Sequence, residues 1–151
     1  MCVTSVPENE EIAPTPEAAA SGLAAERTRR LDRIDAMRAA GVNPYPYRFD
    51  RTHTLGEIRE QHGHLEAGNE TETRVTVAGR ILLKRDQGKL IFCTIRDRAA
   101  DIQLFISKSV VGDTEFDEIN ELDLGDWVGV TGLVMTTRKG ELSIKVESAQ
   151  L

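Results

Sequence analysis

Cysteine is scarce and scattered in this chain. Cys2 lies in a polar N-terminal stretch and Cys93 inside an apolar run, which fits neither a disulfide framework nor a metal-ligand cluster and points to a reducing, cytoplasmic setting. Long apolar runs are missing too. No stretch approaches the roughly 18 residues of a membrane span, and residues 1–11 lack the basic start and apolar core of a signal peptide, so a soluble chain without membrane attachment is expected. Histidine is limited to His53, His62 and His64 in polar surroundings. His62-Gly63-His64 offers only two candidate ligands with no cysteine nearby, so no metal site is expected. Neither a Gly-rich phosphate loop nor a nucleophilic constellation is present. The chain by itself is therefore expected to be non-catalytic and to need no cofactor.

Basic charge is also in short supply. Lys and Arg number 19 against 25 Asp and Glu, a net charge of −6, whereas a nucleic-acid binder usually shows a basic footprint. The distribution matters more than the sum. Residues 1–25 hold Glu8, Glu10, Glu11 and Glu17 with no Lys or Arg, and much of the remaining acid gathers between Asp113 and Asp126. Other faces are left free to be basic.

What is present reads as one folded module behind a helical lead. Residues 1–24, with Pro7, Pro14, Pro16 and a Glu cluster, have too little apolar content to offset ordering entropy and are expected to form a disordered acidic tail. Residues 25–72 form a helical extension and linker. Within it, 26–40 places Leu31, Ile34 and Met37 on one stripe among arginines, with Gly41 as a stop. Pro44 and Pro46 then hold the chain extended. A short helix is expected over 54–61, with Thr54 as cap and Glu57 three residues later.

From 73 to 151 the texture is that of strands, at about 75–85, 89–97, 101–107, 127–137 and 141–148, with hairpin turns at Gly88 and Lys139-Gly140. A helix over 114–122, carrying Phe116 and Ile119, separates the third strand from the fourth. Three strands, a helix and two strands is the order of a mainly-β, five-stranded OB barrel.

Strand alternation sorts side chains between the core and the outer face. Val75, Val77, Ile81, Ile91, Cys93, Ile95, Ile102, Leu104 and Ile106 go inward. Arg80, Lys84, Phe92 and Gln103 go outward, with a loss of parity expected near Arg85. In OB domains the face of strands two and three is the usual oligonucleotide platform. A base can stack on Phe92, a contact worth about 1–3 kcal/mol. Gln103 can donate to and accept from a base edge. Arg80, Lys84, Arg85 and Lys89 can hold phosphates. Phe92 alone could equally cover the barrel edge or pack on the N-terminal helix, and Glu141, after its Lys-Gly turn, reads as a solvated edge charge.

The motifs Asn43-Pro44-Tyr45-Pro46, Val77-Ala78-Gly79-Arg80-Ile81, Gly88-Lys89 with Phe92, Ile102-Gln103-Leu104, Leu122-Asp123-Leu124-Gly125-Asp126 and Gly140-Glu141-Leu142-Ser143 are found together. From about residue 27 to 151 the chain resembles the N-terminal, anticodon-binding OB domain of bacterial-type lysyl-tRNA synthetases, of class IIb. The barrel motifs also suit the aspartyl and asparaginyl enzymes; the Asn-Pro-Tyr-Pro and Gly-Glu-Leu-Ser segments favour the lysyl type.

The resemblance implies recognition of the U-rich anticodon loop of tRNA. Phe92 would stack on the central uridine, Arg85 and Gln103 would contact base edges, and Glu141 would contact another anticodon base. It also implies a homodimeric parent, whose separate catalytic domain uses ATP and magnesium. One departure is Ala100, where the family often has Gly before the position of Asp101, so the turn there is expected to differ in shape. The competing expectation is a freestanding OB module that binds single-stranded nucleic acid, or that uses its outer face for protein contact or dimerisation.

Overall fold

The structure, a computed structural model, describes residues 16–151, with side chains from Gly22 onward. The chain divides after Tyr45 into two units. The first contains helix α1, Pro16–Ala39. It starts ten residues before the expected position, so 16–24 is helical rather than a disordered tail; the rest of that tail lies outside the described residues. Pro16 occupies a first-turn position where its missing N–H costs nothing, and Ala18-Ala19-Ala20 are the strongest helix formers, which outweighs the lack of apolar content. Glu26 accepts from Arg29 at 2.6 Å and from Arg30 at 2.7 Å, one turn away. Gly41 ends the helix at φ 74°, as its position in the sequence implies.

The second unit is a closed barrel of five strands in the order β1-β2-β3-β5-β4. They are β1 Glu70–Asp86, β2 Leu90–Arg96, β3 Asp101–Ser107, β4 Trp127–Thr136 and β5 Leu142–Gln150. All pairs are antiparallel except β3 with β5, whose parallel contact closes the ring. The long β1 belongs to both halves of the barrel. Its first part pairs with β4 as far as Arg80–Trp127, and from Arg80–Arg96 onward it pairs with β2. Gly79 lies at the corner between them, where an added Cβ would stand 2.9 Å from the Arg96 carbonyl oxygen. Only glycine lets the backbones come that close. The hairpin turns fall at Gly88 and Gly140, at φ 78° and 85°, a conformation that costs glycine nothing.

The inward rows of the sequence reading are the core. Val75, Val77, Ile81, Ile91, Cys93, Ile95, Ile102, Leu104 and Ile106 are all buried. Burial pushes the Cys93 thiol up to about 11, which keeps it protonated and inert. Two helices extend this core. In α2, Leu55–His62, Leu55 and Ile58 are fully buried, and Thr54 with Glu57 forms the expected capping box. In α4, Asp113–Asn120, Phe116 and Ile119 are buried. A single turn, α3 Lys108–Val111, joins β3 to α4. Four residues are too few to show a helical period in sequence, and this turn was not expected. The lead-in to α2 docks on the barrel. Thr52 and Thr76 exchange hydrogen bonds, and the Phe49 ring fills the space over Gly129, where a Cβ would be 2.3 Å away.

Candidate nucleic-acid interface

The outer face of β1, β2 and β3 is organised in cross-strand rows. In the first, Arg85 lies directly opposite Phe92, Phe92 opposite Phe105, and Phe105 beside Lys145 of β5. The Phe92 and Phe105 rings meet edge to face, with centroids 5.4 Å apart and planes at 73°. This arrangement holds Phe92 upright while leaving it only half-buried. Phe105 is not among the site residues expected from the sequence; the alternation of β3, which sets it on the face of Phe92, is the signal that marks it.

In the next row Leu83, Thr94, Gln103 and Ser143 are neighbours. Gln103 Nε2 donates to the Ser143 hydroxyl at 3.1 Å, and that hydroxyl donates to the Glu141 carbonyl at 3.1 Å. Ser143 is fully buried, so this relay fixes the Gln103 amide. The amide oxygen and the second N–H keep a free acceptor and a free donor among the described residues. The relay also joins β3 to the β4–β5 turn, where Thr137 N–H donates to the Glu141 carbonyl at 2.9 Å. The Glu141 carboxylate is exposed and lies 3.6 Å from the Arg59 guanidinium of α2.

The cations divide by role. Arg85 and Lys89 are exposed and hold no ion pair among the described residues. Arg80 is outward too, with its guanidinium 5.3 Å from the Trp127 ring centroid. Lys84 is not on this face. The register of β1 against β2 shifts between Ile81 and Leu83, inserting Leu82 as an extra residue, so Lys84 stands opposite the inward Cys93 and Arg85 opposite the outward Phe92. The expected loss of parity is real but falls before Lys84. The Lys84 ammonium reaches the carbonyls of Asn120 and Leu122 at 2.6 and 2.7 Å, holding the end of α4. Replacing Lys84 by Met keeps the aliphatic stem but leaves those carbonyls without their donor. It should cost about 1–3 kcal/mol in chemical denaturation.

Asp97, unnoticed in sequence, organises the β2–β3 turn. Its carboxylate accepts from the backbone N–H of Ala99, Ala100 and Leu55 at 2.7, 2.9 and 2.8 Å, so it shapes the turn and anchors α2. Partial burial pushes its pKa up, but those three N–H groups outweigh this and hold the carboxyl below the usual range. The turn therefore closes with Ala100 where the resembled family often has glycine, and no non-glycine described residue has positive φ. Beside it, Arg96 grips Asp101 through two bonds of 2.5 and 2.7 Å, which hold the Asp101 carboxyl below its usual range, so both groups stay ionised as a pair.

A closed five-stranded barrel with an aromatic pair, a fixed amide and free cations on the β1–β3 face is the architecture of an OB-fold nucleic-acid-binding domain. The family model described as the OB-fold nucleic acid binding domain matches residues 75–151, half of the chain, and the chain belongs to that family. It is similar to lysine–tRNA ligases. It is 40% identical to that of Enterococcus faecalis over 81% of the chain and 25% of the ligase. It is 41% identical to that of Fervidobacterium nodosum over 83% of the chain and 24% of the ligase. The chloroplastic/mitochondrial lysine–tRNA ligase of Arabidopsis thaliana is 36% identical over 81% of the chain and 21% of the ligase. The chain thus spans about a quarter of the length of these curated relatives. No helix among the described residues is long and apolar enough to cross a membrane.

Proposed function

We propose that this chain is the anticodon-reading part of a cytoplasmic lysine–tRNA ligase, recognising the U-rich anticodon loop of tRNA. The observation that supports it most is the first row of the face, where Arg85, Phe92 and Phe105 stand side by side with the fixed Gln103 amide one row away. Uracil presents an N–H between two carbonyl oxygens, and a primary amide can answer that edge with one acceptor and one donor while the ring stacks on Phe92. Arg85 adds a second donor and a charge for phosphate. Glu141 stands at the end of the relay from Gln103, where a neighbouring base of the triplet would lie. Lys89, at the β1–β2 turn, holds the backbone.

In this reading the domain supplies specificity. Binding energy gained far from the reacting ester positions the tRNA for a catalytic domain that uses ATP and magnesium, in a homodimeric parent. The test is binding of the chain to an anticodon stem-loop with UUU, against the same loop with a changed central base, at low and high salt. Preference for UUU, with affinity falling as salt rises through counterion release, is the expected result. Equal binding to both loops, or none at either salt, would leave a protein-contact module as the better account.

A further inference from the structure

Trp127 is the single tryptophan of the chain and opens β4 with 56% of its surface exposed. It lies directly across from Arg80 of β1, which lies directly across from Arg96 of β2. The Arg80 guanidinium sits over the ring, 5.3 Å from its centroid. Arg96 is paired with Asp101 through two bonds, so the cation of this row with no ion pair among the described residues is Arg80. From Phe92 to Arg96 the row stands four residues further along β2, about 13 Å at the strand rise. A splayed single strand bridges such a distance with very few nucleotides. A large indole kept in water and backed by a cation on the same outer surface serves neither the core nor the anticodon row.

We propose that Trp127, with Arg80 across it, is a second stacking platform that takes a base flanking the anticodon triplet. The proposal rests on the reading that the β1–β3 face binds RNA, and it extends that face around the barrel onto β4. Indole and guanidinium both stack on bases without regard to sequence, so this platform adds affinity and direction to the bound strand rather than discrimination. A base is the group it suits, because an exposed indole offers a flat apolar face on which a base can stack.

The single tryptophan makes the test direct. The UUU stem-loop should quench the intrinsic emission of the chain over the same concentrations at which the anisotropy of a dye on the loop reports binding. Trp127→Ala should weaken that loop by about fivefold or more, with the preference for UUU intact, and Trp127→Phe should recover most of the loss. A loop with abasic flanking nucleotides should bind the parent chain as weakly as the intact loop binds Trp127→Ala, and combining the two changes should cost nothing further. Loop binding with UUU preference but no change in emission would overturn the platform while leaving the anticodon reading standing. So would a Trp127→Ala chain that binds like the parent. Absence of loop binding by the parent chain would overturn both.

Discussion

Replacing Phe92 by alanine is expected to weaken binding of the UUU stem-loop by about 5- to 150-fold, the range that one base–aromatic stack of 1–3 kcal/mol implies. It is also expected to abolish the preference for a central uridine. The two effects have separate origins. The affinity comes from the ring face offered to the base. On the proposed reading the preference would come from Gln103, whose amide is held by Ser143 and would meet a base edge only while the base is pinned over β2 and β3. Without Phe92 the base is free to slide, and the amide meets no fixed partner. The neighbouring Phe105 cannot take over, because it presents its own ring at 73° to that of Phe92. Phe92 is half-buried on the outer face while the core row of β2 is Ile91, Cys93 and Ile95, so the variant should keep its circular dichroism and lose chiefly the ring pair with Phe105, about 0.5–1.5 kcal/mol. Anisotropy titrations at fixed salt decide the matter. Loss of affinity for every loop by one common factor, with the UUU preference intact, would move the reading of the base away from this face.

How much of this was visible beforehand depends on which interactions are local. Alternation is a property of a strand's own residues, so the inward rows of β2 and β3, and with them the outward positions of Phe92 and Gln103, could be read directly. The capping box at Thr54 and Glu57 and the turns at Gly88 and Gly140 are equally local. The place of a bulge is not. It depends on how β1 bends to serve β4 and β2 together, and displacing it by a few residues turned Lys84 away from the outer face and set Arg85 on it. The long-range partners were hidden for the same reason. Asp97 holds Leu55 across 42 residues of sequence, and Phe49 fills the space over Gly129. Neither contact leaves a mark on the composition around it. Alternation alone places Lys84 on the outer face, and the bulge gives that place to Arg85.

The largest loss of stability is expected from Gly132→Ala. Gly132 lies on β4 at the register shift against β5, where Thr131 pairs with Ser148 and Gly132 with Val146. An added Cβ would stand 2.1 Å from the Lys145 carbonyl oxygen and 2.8 Å from its carbon, with the Ile144 side chain at 3.0 Å. The first two are backbone atoms, so no rotamer change relieves the contact. β4 and β5 must part instead. Ile144 and Val146 are fully buried, and β5 closes the ring on β3, so the strain is carried into the core and the closure together. Forced overpacking of this kind costs about 3 kcal/mol or more, enough to lower the melting point of a small domain by some ten degrees or more. Gly88→Ala supplies the comparison. That position has φ 78° but nothing within 4 Å of the added Cβ, so it bears only the left-handed backbone penalty of about 1–2 kcal/mol. If the two variants unfold at the same denaturant concentration, the close approach of β4 and β5 is not what demands glycine at 132. A clear gap, with Gly132→Ala the less stable, would identify backbone contact across the bulge as the constraint that holds the barrel closed.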